Sequence, residues 1–489
     1  MVFPIVGGTQ STGYDIENSC LFNGANQYMS RTPSSAGNRR VFTFSCWFKV
    51  HSDASSRAFM STGDDSGSND YIMFQSGDKL RFSFGTESDG DIITDAVFRD
   101  SSAWTHQVWA VDTTQGTNSN RVKLYLNGTQ ETNISGTYPD QNYDTSFNNT
   151  VVQRIGARSY SATQYFDGYM SEINFIDGTA LDASHFGETD DNGVWIPKQY
   201  TGSYGTNGFF MEFQQTGTSQ NSSGIGADTS GNDNHFAVSA LGANSPALDV
   251  PTNNFCTMIP ATNISLSGGG NLSGATTRTG NWDAVHGSIG VTTGKWYFEC
   301  RASRTEDNFR VIVGVVGDPE NWGIGFNGSG ASGDPLSTFS NTYPFYGKGV
   351  WLDHWYDEDY NDSSTASVNS NNDIIQIALD MDNYKMWIGV NGQFKDNSNN
   401  NVSYADVAAG NSATVTIASG AYTDKTFFPA FWLRDDQDQD DNLADINFGG
   451  AISFNISSAV NDGAGRGKFE YDVPSGFFSL CTKNLANHG

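Results

Sequence analysis

Between Tyr343 and Ser370 the chain reads YPFYGKGVWLDHWYDEDYNDSSTASVNS, and there Tyr346, Trp351, His354, Trp355, Tyr356 and Tyr360 are interleaved with Asp353, Asp357, Glu358 and Asp359. Indole and phenol rings stack on the apolar faces of sugars, while carboxylates accept hydrogen bonds from their hydroxyls. These six residues are the candidate ligand-binding set. The same residue types suit a contact with a neighbouring subunit, where Trp and Tyr are enriched, or local packing at the end of a domain. The sequence leaves all three readings open. The stretch is expected to form an extended loop at one end of a β-sandwich.

A second chemistry is offered by acidic runs. Asp64, Asp65 and Asp70 lie in GDDSGSND, and Asp436, Asp438 and Asp440 lie in DDQDQDD. Asp228, Ser230, Asn232 and Asn234 alternate in a third run. Ca²⁺ takes about six to eight oxygen ligands, so each run is a candidate Ca²⁺ loop. DDQDQDD lacks the Gly and terminal Glu of an EF-hand, and a solvated acidic turn is the competing reading.

Catalytic spacing is not found. The chain contains no G-x-S-x-G, no H-E-x-x-H and no Glu-x-Asp-x-x-Glu. GVTTGK (290–295) is too short for a phosphate loop, and Trp296 stands where Ser or Thr would be needed. No catalytic residue is assigned and a non-enzymatic role is expected. A carboxylate pair assembled across strands is the one arrangement left open.

These residues need a scaffold, and composition names its class. The 489-residue chain has 54 Gly, 13% aromatic residues and only 16% charged residues, and it lacks long 3.6-period stretches. Turn-formers plus Phe, Tyr and Trp give many short strands, so the fold class is all-β. A net charge of −28 opposes a nucleic-acid surface, which needs clustered Lys and Arg. Cys20, Cys46, Cys256, Cys300 and Cys481 are scattered, without C-x-x-C spacing. Buried free thiols are expected rather than zinc or redox motifs. MVFPIVGG lacks the basic n-region of a signal peptide, and no apolar run reaches the roughly 18 residues of a membrane helix. Neither secretion by that route nor membrane insertion is expected.

Two segments spell one hairpin. Arg121–Gln130 is RVKLYLNGTQ and Lys385–Phe394 is KMWIGVNGQF, each an alternating strand ending in Asn-Gly. Asn-Gly suits the type I′ turn because both central residues need positive φ. In VFTFSCWFKV (41–50), Phe42, Phe44, Cys46 and Phe48 share one face, as a sandwich core strand requires. The pattern predicts two β-sandwiches in tandem: an arm (1–14), a first sandwich (15–240), a connector (241–280) and a second sandwich (281–489).

The order SCLFNG, YMSRTP, FTFSCWFK, LYLNGTQE, GYMSEINFIDG over about residues 14–200 resembles a laminin-G-like, concanavalin-A-like jelly roll, in the form carried by virion proteins of tailed, especially marine, phages. The elements GKWYFECR, IALDMD, the Asn391-Gly392 hairpin, FFPAF and INFGG are similar to a SPRY domain, departing where IALDMD lacks the family's Gly. The ending PSGFFSLCTKNL resembles phage-borne copies. The resemblance implies a virion protein, a tail fibre or related appendage, that attaches to host-surface glycan or protein through sandwich loops. It also implies virion proteins and copies of itself as partners, in a symmetric oligomer such as a trimer. A purely architectural virion component and a carbohydrate-processing enzyme are the alternatives.

Overall fold

The computed structural model describes residues 13–51, 56–63, 69–159, 162–260, 264–267, 270–276, 282–303, 311–317, 346–351, 354–356, 363–364, 371–417, 426–434 and 443–489. They form two compact units that divide between Asn254 and Phe255. The chain is all-β, as its composition predicts, and each unit is a β-sandwich.

In the first unit two eight-stranded antiparallel sheets face each other. One is centred on Val41–Val50, which pairs with Thr105–Asp112 on one side and Asp167–Asp177 on the other. The second runs from Ile134–Thr137 through Lys79–Phe84, Asp70–Gln75 and Arg57–Thr62 to Gln153–Ile155, Tyr28–Arg31 and Ala237–Ser239. Alternation explains the core. Phe42, Phe44, Cys46 and Phe48 point inward with Phe74, Leu80, Phe82 and Trp109, all fully buried or nearly so. Phenyl rings dominate, and Phe42 stacks on Phe175 at 5.4 Å.

The opposite face of Val41–Val50 is covered too. Ser45, Trp47 and Lys49 are buried. Lys49 Nζ pairs with the equally buried Asp249 at 2.7 Å and donates to Asn254 Oδ1 at 2.8 Å. Such a pair needs every remaining lone pair satisfied, and Trp104 Nε1 supplies a further donor to Asp249 at 3.0 Å.

The second unit has a ten-stranded sheet built on Lys295–Ser303, Asp373–Asp380 and Lys385–Val390, and a six-stranded sheet built on Trp282–His286, Phe427–Arg434 and Val311–Gly317. Its outer layer is closed by the chain end: Phe469 and Phe477 pack on Tyr297 and Trp387. All five cysteines are buried.

The stretch 241–280, expected as a connector, carries strands instead. Pro246–Ala247 pairs with Ser19–Asn23, and Ser273–Thr276 pairs with Ile264–Ser267 and Leu443–Asn447. Its Gly and Ser residues punctuate short edge strands, and its buried Asp249 and Val250 fasten it to the first unit.

Candidate functional site

The aromatic segment is not one long loop. Tyr346–Trp351 pairs antiparallel with Val311–Gly317, and His354–Tyr356 pairs back onto it. Trp351 lies opposite His354, Val350 opposite Trp355 and Gly349 opposite Tyr356. Ser363–Ser364 then adds the outermost strand of the six-stranded sheet among the described residues. Five of the six predicted ligand residues, Tyr346, Trp351, His354, Trp355 and Tyr356, therefore lie in one short hairpin next to the outermost described strand. The many nearby Asp and Asn residues disguise the first of its strands, Tyr346–Trp351, as loop. Tyr360 lies outside the described residues.

Of the acidic candidates, Asp64, Asp65, Asp436, Asp438 and Asp440 lie outside the described residues. Asp70 is buried, and its carboxylate is turned inward. Oδ1 accepts from the Gly85 amide at 2.8 Å and from Tyr143 Oη at 3.5 Å, and Oδ2 accepts from the Ser146 amide at 2.5 Å. Burial raises its pKa while these donors oppose the rise. It fastens two turns to the sheet.

Asp228 does the same in the third run. It accepts from the Phe210 and Ser230 amides through Oδ1 and from the Asn234 amide through Oδ2. Asn232 and Asn234 turn their amide nitrogens, not their oxygens, onto the Gly208 carbonyl at 2.9 Å each. The alternation that resembles a cation loop is a backbone latch. Among the described residues no three His, Cys, Asp or Glu side chains converge on a metal position.

Sequence reading missed a polar layer on the outer face of the first sheet. His106 is stacked between Trp47, at 4.7 Å, and Trp195, at 6.1 Å. Ser45 Oγ lies 2.9 Å from its Nε2, the separation of a nucleophile and its base. Trp195 Nε1 can only donate, and it lies 3.1 Å from His106 Nδ1. Nδ1 therefore accepts, the proton sits on Nε2, and Ser45 Oγ is the acceptor. In that tautomer the ring cannot take a proton from Ser45. Burial also pushes the imidazole down to about 3, so it stays neutral. The pair is structural.

The same layer holds a strained carboxyl. The pairing of Asp167–Asp177 with Val41–Val50 slips between Ser171 and Asn174, and Glu172 in this bulge has φ +51°. A non-glycine residue there costs on the order of 1–3 kcal/mol and persists only where its surroundings hold it. Glu172 accepts from Tyr14 Oη at 3.2 Å. Burial, then the charge of Glu212, push its carboxyl up to about 8. The signal was in the sequence: inward Met170 and Ile173 are three apart, where an unbroken strand would space them by two.

In the second unit Glu299 is fully buried. It accepts from the amides of Glu470 and Tyr471 at 2.9 Å each and from Tyr297 Oη at 2.9 Å. Burial nevertheless pushes it up to about 7. Gln376 extends this network by accepting from the Gly392 amide at 2.8 Å, so the second Asn-Gly turn is tied to the buried carboxyl.

No helix among the described residues is long and apolar enough to cross a membrane. No curated protein matches the chain. Parts of it are similar to many solved structures, among them the following three. The SPRY domain of human HERC1 shares 12% identity over 38% of this chain and 91% of that one, with a TM-score of 0.24. A heptameric SAP-like pentraxin from Limulus polyphemus shares 14% over 35% and 80%, with a TM-score of 0.27. The CBM40 of the Ruminococcus gnavus IT-sialidase shares 12% over 32% and 92%, with a TM-score of 0.23. Residues 23–185 match a laminin-G family model described as the concanavalin A-like lectin/glucanases superfamily, within the part of the first sandwich where the sequence motifs suggested it.

Proposed function

We propose that the protein is a non-enzymatic component of a phage virion, a tail fibre or related appendage, that binds glycan or protein on the host surface. One observation carries the binding role: the edge hairpin that gathers Trp351, His354, Trp355 and Tyr356 within one short pair of strands. A ligand meets aromatic residues best where the backbone is already ordered, because less entropy is lost on binding. The lectin-superfamily match of residues 23–185 supports sugar as the ligand class. The virion setting rests on the segment order and on the PSGFFSLCTKNL ending.

The same edge favours a second reading, an architectural subunit. An outermost strand offers unpaired backbone donors and acceptors to a neighbouring chain. Antibody directed at residues 351–356 on the assembled particle separates the two. Labelling of intact particles supports host attachment, whereas labelling only after dissociation supports architecture.

A further inference from the structure

The polar atoms at one end of the first sandwich core do not balance. Arg31 and Gln153 lie directly opposite each other on neighbouring strands, and Gln153 lies opposite Thr62 on its other side. Two residues along, Met29, Ile155 and Met60 are core residues, so period-2 alternation places Arg31, Gln153 and Thr62 on the inner face as well. Arg31 is 6% exposed, Gln153 1% and Asn148 0%.

Most neighbours are satisfied. Asp177 accepts from Asn38 N, Asn148 Nδ2 and Asn207 N. Arg31 donates through its terminal nitrogens to the carbonyls of Asn234 and Asn207. Thr62 Oγ1 and Ser146 Oγ share a hydrogen bond of 2.6 Å. After this, Gln153 Oε1, Gln153 Nε2, Arg31 Nε and Asn148 Oδ1 have no protein partner among the described residues. A buried amide without partners costs on the order of 1–3 kcal/mol. Gln153 is buried away from bulk solvent, and Arg31 is held over the rings of Phe209 and Phe236 at 5.6 and 5.4 Å.

We infer that this end of the core is a binding site for internal water, one or more molecules bridging Gln153, Arg31 and Asn148. The chemistry selects the ligand. The orphan groups include both N–H donors and carbonyl acceptors, so the ligand must donate and accept. The Arg31 charge opposes a cation, and Asp177 and Asp228, which both act on Arg31, oppose an anion. A small neutral amphoteric molecule remains, and buried waters make about three hydrogen bonds to such groups. The site would anchor the Asp228–Asn234 latch, because Arg31 holds that loop through the Asn234 carbonyl.

The test uses the full chain and the Gln153→Leu variant, which matches the amide in volume. If water bridges the site, the variant breaks a satisfied network, and Tm falls by several degrees. If the amide is dry, the variant removes an unpaired buried polar group, and Tm rises. A high-resolution crystal structure of the unaltered protein decides independently of the variant's folding. Ordered water within 3.2 Å of Gln153 Oε1 or Nε2 and of Arg31 Nε is expected on hydrogen-bond geometry. Density showing these atoms bonded to protein groups, or packed dry, overturns the inference.

Discussion

Asn127 and His106 exchange two hydrogen bonds: the Asn127 amide donates to the His106 carbonyl at 3.0 Å, and the His106 amide donates to Asn127 Oδ1 at 2.8 Å. In the second sandwich Asn391 and Ile374 make the same exchange, at 2.9 Å in each direction. Both asparagines lead a turn with positive φ at Asn and Gly, and both bind the second residue of the preceding strand's neighbour in the sheet. The Asn side chain thus adds one more rung to the ladder beyond the turn.

The glycines of these turns should differ in tolerance. A Cβ on Gly128 would lie 2.4 Å from the Trp195 indole, and one on Gly392 2.9 Å from the Tyr471 ring. Both have positive φ, so alanine is strained at either. Gly128→Ala adds a severe clash with a ring held by the His106 stack, and should cost at least ~2 kcal/mol. Calorimetry of the two variants should show the larger loss for Gly128→Ala.

Stability should fall as pH rises through neutrality, with Glu172 as one cause. Its folded pKa, about 8, stands above the ordinary value of 4.5, so the native state holds its proton more tightly. That contribution is complete below pH 4.5 and is lost as pH rises through about 8. Glu172→Gln keeps an oxygen for Tyr14 and removes the titration. Its Tm should depend less on pH between 4.5 and 8 than that of the unaltered protein.

His106 acts in the opposite direction. Its folded pKa, about 3, is depressed from 6.5, so its contribution is present above pH 6.5 and is lost as pH falls toward 3. Nitrogen chemical shifts at pH 5 should show a neutral ring protonated on Nε2. A charged ring at that pH, or a proton on Nδ1, would contradict the Trp195 hydrogen bond.

Asp228→Ala should unfasten the latch. Three backbone amides lose a charged acceptor at a residue that is 5% exposed. Hydrogen bonds to charged groups contribute roughly 1.5–3 kcal/mol each, not additively, so a loss of several kcal/mol is expected. Amide exchange at Phe210 and Asn234 should accelerate with it.

The legible parts of the sequence were those fixed by local chemistry. Asn-Gly specified both turns because few other residues accept their backbone angles, and the spacing of Phe42, Phe44, Cys46 and Phe48 identified an inner face. Coverage of the other face depends on Asp249 and Trp195, which are distant in sequence, and no local pattern announces it. The Asp228 run has the same residue types as a cation loop; which atoms turn inward is decided by backbone amides that belong to other segments. The YGKGVW strand was hidden by its polar surroundings and by its lack of an apolar/polar alternation.

Attachment of the Tyr346–Tyr356 hairpin to the host surface is tested most directly by binding of the full chain to host cells and to a panel of host-surface glycans. The unaltered protein should bind, and Trp351→Ala with Trp355→Ala should reduce binding at least tenfold, a loss of about 1.4 kcal/mol, with circular dichroism unchanged. Unchanged binding by a folded double variant would contradict the claim.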